Sequence, residues 1–323
     1  MQLEAIRQVA VLGTGTMGPG IALSFALRGY SVTLVGRSAE AVARGQTTLQ
    51  RYAQRLVEGE LNTADETARA VERIAVTADL ATIAPAQVVV EAIAERLDAK
   101  QDLLRNAEEL VAPTAVLAST TSGLSATALG SALRRPERFV VAHYANPPHL
   151  MPVVEVVKGR QTSEATADLV LRLLRHTGKR PVLVRKDVPG FIFNRLQYAL
   201  MREAVALVRD GVATPEDVDA IVKYGYALRL PAVGPLEMVD LVGLEIYETI
   251  ATYLWPDLDC SKEPTVLREL LAKGAKGMVA GQGFYRWTPE TIEALLRARD
   301  AEIVRQVKRL AAEERERPDG GGA

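Results

Sequence analysis

Cysteine is almost absent: Cys260 is the only one in 323 residues. A single thiol excludes an intrachain disulfide framework and a cysteine metal cluster, so no metal site is expected, and it fits a reducing, cytoplasmic setting. No apolar run is long enough to span a bilayer. Residues 1–7 lead straight into a strand pattern, so no signal peptide is expected. Charge of either sign is not in excess: the net charge is −1. That leaves no basic field for nucleic acid and no cationic cluster for a membrane surface. Histidine is scarce as well, with only His143, His149 and His176, so imidazole chemistry has three candidates. Internal repeats are missing. The length suits two domains.

What is present begins at residue 9. Val9 to Leu12 is a short β-branched apolar run, the pattern of a buried strand. Gly13-x-Gly15-x-x-Gly18 follows at once, with Thr16 and Met17 inside it. Residues 21–27 read as a helix, and 32–35 form a second apolar run. Strand, glycines, helix and strand in that order predict a dinucleotide-binding βαβ unit. Gly13 permits the tight turn, Gly15 lets the backbone approach a diphosphate, and Gly18 lets helix and strand pack closely. The helix start offers unpaired N–H groups and a positive dipole end to the phosphates. Pro19 is tolerated there because the first turn has spare donors.

The second strand ends on Gly36, Arg37 and Ser38. An Asp or Glu at this point accepts the ribose hydroxyls of NAD. Without that carboxylate, the guanidinium fork of Arg37 and the hydroxyl of Ser38 suit a 2′-phosphate, which favours NADP over NAD. The alternative is that Arg37 is a solvated loop charge and NAD is held by the rest of the pocket.

Further along, helices are predicted over 39–56, 65–72, 99–110 and 165–176, with a turn signal at Gly59. Strands are predicted at 74–77, 87–91, 115–118, 139–142, 153–157 and 181–184. The continuous apolar character of 87–91 suits a parallel strand covered on both faces. From Lys186 the strand patterns stop. A long helix is predicted over 191–208, others over 236–253 and 264–271, and two more open at Thr214-Pro215 and Thr288-Pro289. The fold class is therefore α/β: a Rossmann-type, mostly parallel sheet domain over 1–186, then an all-helical domain over 187–323. The glycine-rich tail from Arg317 is expected to be disordered.

His143 lies at a strand end on the sheet edge that carries the glycines. The hydroxyl-rich stretch Ser119-Thr-Thr-Ser122-Gly123 follows another strand to the same edge, where open α/β sheets bind ligands. Glu155 sits inside an apolar strand, where an unpaired carboxylate is costly. His143 could be its partner. Such a pair raises the basicity of the imidazole and fixes its tautomer. The alternative is a packed polar histidine. His149, after two prolines, would shape the pocket. His176, ending a helix beside Gly178, reads as a cation on the helix dipole.

Several motifs occur in order. They are Gly13-x-Gly15-x-Met17-Gly18-x-Gly20, Val90-Glu91-Ala-Ile-x-Glu95 followed by Lys100, Ala118-Ser-x-Thr-Ser122, His143-x-x-Asn146-Pro, Val154-Glu155-Val-Val, Asp187-x-Pro-Gly-Phe191-x-x-Asn194-Arg195 and Gly281-Gln-Gly283-Phe-Tyr. Together they resemble the L-3-hydroxyacyl-CoA dehydrogenase family over nearly the whole chain. The stretches Asn146-Pro-Pro-His-Leu-Met-Pro152 and Asn194-Arg-Leu-Gln197 look more like the branch of lambda-crystallin/L-gulonate 3-dehydrogenase and carnitine dehydrogenase.

The resemblance implies a hydride transfer between a nicotinamide and C3 of a 3-hydroxyacyl-CoA, in the setting of fatty acid metabolism. His143 would take the hydroxyl proton and Glu155 would orient it. Ser122 and Asn194 would hydrogen-bond the reacting oxygen and its neighbour; a turn hydroxyl and a helix-surface amide are the bland readings of the two. Glu95, Lys100 and Asn146 would line the coenzyme cleft. The helical domain would bind substrate and pair with its twin in a homodimer.

This chain also departs from the family pattern. Gly36 replaces the usual Asp, Thr120 a usual Asn, and Val279 a frequent Lys. Acyl-CoA members carry a lysine-rich helix after the second strand, whereas residues 46–61 offer only Arg51 and Arg55. A free 3-hydroxy acid is thus the competing substrate class. A non-catalytic cofactor-binding or structural protein is the remaining reading.

Overall fold

A computed structural model describes residues 1–316; the tail expected to be disordered, 317–323, lies outside them. The chain opens with β1 (Gln8–Leu12), α1 (Gly18–Ala26), β2 (Ser31–Val35), α2 (Ala39–Glu58), α3 (Ala64–Glu72) and β3 (Ile74–Thr77). Next come β4 (Val88–Glu91), α4 (Leu97–Leu110), β5 (Val116–Ser119), α5 (Ala126–Gly130) and β6 (Phe139–Tyr144). β7 (Val153–Val157), α6 (Glu164–His176) and β8 (Arg180–Val184) complete the strands. They form one sheet in the order β3-β2-β1-β4-β5-β6-β7-β8. All neighbours are parallel except β6 and β7.

The strand order reverses direction at β1, with β2 on one side and β4 on the other. A crevice at such a reversal, beyond the strand C-termini, is where open α/β sheets take ligands. Every residue of β4, β5 and β6 is buried. Each fully covered Val, Leu or Phe there contributes about 1.5–3 kcal/mol of apolar burial. The core lies on both faces of the sheet, one side packed by α1, α2 and α6 residues and the other by α4 and α5 residues.

After β8 the elements of the described residues are helices, α7 (Phe193–Arg209), α8 (Pro215–Tyr224), α9 (Pro235–Val242), α10 (Leu244–Leu254), α11 (Thr265–Ala272) and α12 (Pro289–Glu316), with isolated β-bridges at Gln282. The helix expected over 236–253 is two helices. Gly243, with φ of +108°, breaks it, a conformation that only glycine adopts without strain. The helix expected from 191 starts at Phe193, because Gly190 (φ +76°) and Phe191 (φ +52°) are both left-handed.

The described chain divides into two compact units: Met1–Arg195 joined by the chain from Ala301 onward, and Leu196–Asp300. This division falls later than the 186/187 boundary read from the sequence. Residues up to Arg195 stay with the sheet because Ile192, Phe193 and Asn194 bond to it. The chain from Ala301 returns because Ile303 and Val304 pack against the sheet unit's core.

Candidate active site

The glycine loop is built as a cradle. A Cβ on Gly13 would lie 2.4 Å from the Ala92 carbonyl oxygen, and one on Gly18 would lie 1.7 Å from that of Gly13. No other residue fits either place. A Cβ on Gly15 would meet nothing within 4 Å, so this side of the loop is open to a diphosphate. Thr16 is exposed, and Met17 precedes the first turn of α1. The residues present therefore fit a dinucleotide.

At the adenosine end, Arg37 is exposed. Ser38 is not the free hydroxyl the sequence suggests. It caps α2, accepting from the Ala41 N–H at 3.3 Å, and it donates to the Glu40 carboxylate at 3.2 Å. Gly36 has a packing reason. A Cβ there would lie 3.1 Å from Thr14 Cγ2 and 3.1 Å from the Val42 nitrogen. Thr14 fills the space that a side chain at 36 needs.

Lys100 and Glu95 form a buried-to-surface chain with Glu91, which the motif contained but to which no role was attached. Glu91 ends β4, fully buried, and Lys100 Nζ donates to it at 2.7 Å. Lys100 is itself buried and also donates to the Ile93 carbonyl at 3.2 Å. Its ammonium is thus enclosed by protein acceptors, and it reaches the cleft only through Glu95, 3.5 Å away. Glu95 accepts from the Thr121 hydroxyl and from the Ser122 N–H at 3.0 Å. Burial pushes the Glu95 carboxyl up, but the Thr121 bond, the Lys100 charge and the Ser122 N–H outweigh it and hold it below the usual value. Lys100 therefore braces the loop that carries Ser122.

His143 and Glu155 are directly opposite each other in the β6–β7 ladder. Residues so paired put their side chains on one face, about 5 Å apart at Cβ. The twelve-residue spacing is the geometry of this hairpin. His143 Nδ1 and Glu155 Oε2 are 2.7 Å apart, and both side chains are buried. The other oxygen, Oε1, accepts from Ile192 N–H at 2.7 Å and from Phe193 N–H at 2.9 Å. The left-handed turn at Gly190 and Phe191 delivers these two donors. Burial pushes the Glu155 carboxyl up, yet the bonds from His143, Phe193 and Ile192 hold it below the ordinary carboxylate value. With Nδ1 tied to the carboxylate, Nε2 is the nitrogen available for chemistry. Phe191 and Phe193 stand beside the imidazole, 5.7 and 6.2 Å away between ring centres.

Asn194 Nδ2 donates to the Ser122 carbonyl at 2.8 Å, so these two candidates lie together. Thr120, in place of the family's Asn, accepts from the Tyr144 N–H at 3.2 Å and ties the Ser122 stretch to the His143 strand. Asn146 is exposed just past β6. His176 caps no ligand site; its Nδ1 lies 2.9 Å from the Tyr30 hydroxyl.

Residues 8–188 match the family model of the 3-hydroxyacyl-CoA dehydrogenase NAD binding domain, and residues 190–287 match that of the C-terminal domain. The chain belongs to the 3-hydroxyacyl-CoA dehydrogenase family. It is an oxidoreductase with an NAD-binding Rossmann domain. It is 36% identical over 307 residues to a 5-formyl-3-hydroxy-2-methylpyridine 4-carboxylate 5-dehydrogenase of Mesorhizobium japonicum, covering 94% of this chain and 98% of the relative. A solved structure of such an enzyme, described as an NAD+ dependent dismutase, superposes with a TM-score of 0.87 at 34% identity, covering 94% of this chain and 98% of the other. The L-carnitine dehydrogenase of Streptomyces griseus is 34% identical over 86% of this chain and 85% of its own length.

The sequence concealed three parts of the site. The paired amides of Ile192 and Phe193 depend on a left-handed turn whose second member is a phenylalanine. The Lys100 brace is a contact across nine residues with no local pattern. The Thr14 contact with Gly36 joins two loops, and only the unusual glycine hinted at it.

Proposed function

We propose that this dehydrogenase acts on a compact hydroxy or carbonyl acid and not on a CoA thioester. The seating of α12 carries this reading. Val304 lies 3.2 Å from where a Gly59 side chain would begin, and Lys308 pairs with Glu60 at 2.6 Å. Both contacts fall on the α2–α3 turn, in the region where the resemblance would set CoA-binding lysines. Here that region has two arginines, and one of them, Arg51, lies 5.5 Å over the Tyr52 ring. The family models end at residue 287, before α12 begins. Relatives named for a pyridine carboxylate and for carnitine support the same direction, whereas relatives of 35–38% identity named as 3-hydroxybutyryl-CoA dehydrogenases favour the CoA thioester.

In the proposed reaction, the nicotinamide supplies the hydride acceptor or donor. In oxidation the substrate hydroxyl gives its proton to His143 Nε2, and its C–H leaves as hydride. The Glu155 carboxylate stabilises the resulting imidazolium and keeps the ring in position. The amide of Asn194 and the hydroxyl of Ser122 hold the substrate oxygens, a task suited to neutral donors around a developing alkoxide. In the reverse direction His143 returns the proton.

For the coenzyme, the exposed Arg37 and the missing carboxylate at 36 support NADP(H). Ser38 no longer adds to this. The second reading, NAD(H), is favoured by Glu40 beside Ser38 and by the NAD+-dependent relative. The protein is proposed to be a homodimer, because the Leu196–Asp300 unit leaves large apolar side chains uncovered.

Initial rates test the substrate class. With NADH and NADPH in turn, a free 3-keto acid or a pyridine aldehyde acid is expected to exceed acetoacetyl-CoA in kcat/KM by at least about tenfold. A higher kcat/KM with acetoacetyl-CoA overturns the compact-substrate reading.

A further inference from the structure

His149 lies in the loop between His143 and Glu155 and has no part in the chemistry above. Its ring stacks on that of Tyr52 in α2, with centroids 4.0 Å apart and planes 18° apart. Both side chains are buried. The Tyr52 hydroxyl donates to the Thr16 carbonyl at 3.1 Å, inside the glycine loop. The loop that carries Pro148 and His149 also presses on the first turn of α1. A Cβ on Gly20 would lie 2.8 Å from Pro148 Cγ and 3.3 Å from the His149 backbone nitrogen.

The loop is also held from behind. Lys179, just before β8, is buried and donates to the Pro148 carbonyl at 2.6 Å and the Met151 carbonyl at 2.9 Å. Burial pushes its pKa down to about 8, while the two carbonyls favour the charged form that they bind. Residues 147–151 are therefore fixed on both sides: by an ammonium on one, and by α1 and the Tyr52 ring on the other.

A trans peptide points its carbonyl and the following N–H in opposite directions. Anchoring the Thr16 carbonyl on Tyr52 turns the Met17 N–H the other way. We propose that His149 and Tyr52 are positioning residues for the coenzyme diphosphate, their stack fixing the Thr16 peptide so that the amides at the open side of Gly15 are aimed before the coenzyme arrives. The loop that follows the catalytic histidine then also sets the phosphate cradle, so base and coenzyme share one support. The inference rests on the dinucleotide character of the glycine loop and not on the substrate class.

Titration of reduced-nicotinamide fluorescence, which needs no substrate, tests it. Tyr52→Phe keeps the ring and removes the hydroxyl, and it is expected to raise the coenzyme Kd about fivefold, as for one lost hydrogen bond. His149→Ala is expected to raise it about tenfold, and His149→Phe, which can still stack, to return it to within about twofold of the parent. Competition by ADP-ribose, which carries the diphosphate without the nicotinamide, is expected to weaken by the same factors. A Tyr52→Phe protein whose Kd stays within twofold overturns the proposal, as does a His149→Phe protein no better than His149→Ala. A parent protein that binds neither NADH nor NADPH overturns the dinucleotide reading itself.

Discussion

The two units bury their chains very differently. In the sheet unit whole strands are covered, down to the charged Glu91 and Lys100. Within Leu196–Asp300, only Ala206 and Ala275 are buried. Leu236 is 80% exposed, Tyr224 78% and Leu241 71%. Helices α9 and α10 are apolar on more than one side, as in helices meant to be surrounded. With so few covered side chains, this unit gains little apolar burial to set against the chain entropy of folding. The first unit holds a finished core and the paired His143 and Glu155. The second leaves most of its large apolar side chains at the surface.

The sharpest way to probe the contrast is to disable the first unit's chemistry without touching its fold. His143→Ala is expected to lower kcat by about 10³-fold or more, with coenzyme Kd within about threefold of the parent. Stopped-flow and fluorescence titration read the two effects. Undiminished turnover would remove the base from the proposed mechanism.

The second probe strikes the unfinished unit. Leu241→Arg is expected to weaken self-association by about tenfold or more in analytical ultracentrifugation, since a charge would enter a desolvated contact. Coenzyme binding should survive in the protein that remains folded. A parent protein that sediments as a monomer at micromolar concentration would break the comparison, because the exposed apolar faces would then have no twin to meet.

The smallest expected effect concerns acid stability. Glu155 has its folded pKa held below the ordinary 4.5, so as pH falls the unfolded chain takes up the proton first. The stabilisation is present above that value and is lost as pH drops through the folded pKa. Glu155→Gln is expected to flatten the acid limb of stability by about 1 kcal/mol, read from urea midpoints. Equal slopes in both proteins would mean that His143 and the two amides do not favour the charged form.

Much of the first unit was legible because its signals are local. Glycines that must be glycines stand in a fixed order, and parallel strands buried on both faces announce themselves as apolar runs. His143 and Glu155 could be paired on paper because a carboxylate inside Val153–Val157 demands a partner. Their family resemblance strengthened the pairing. The second unit was harder. Residues 236–253 keep a helical spacing of acidic residues (Glu237, Asp240, Glu245, Glu248) on both sides of Gly243, so periodicity could not reveal the break there. Ser38 read as a ligand hydroxyl because its cap partner, Ala41, is set by backbone geometry and not by side-chain type. The return of α12 to the α2–α3 turn joins residues far apart in the chain, and amphipathic pattern alone does not specify what a helix rests on.

Placing the imidazole and its carboxylate face to face in an antiparallel ladder has a consequence for how such a chain can change. A change in length of the connection between β6 and β7 outside residues 147–151 would still let the two groups meet, since cross-strand bonds and not loop length hold them level. A slip of one residue in either strand would send one of the two to the opposite side of the sheet. Insertions away from the anchored residues 147–151 would leave the pair facing, while a shifted ladder parts the imidazole from its carboxylate at a stroke.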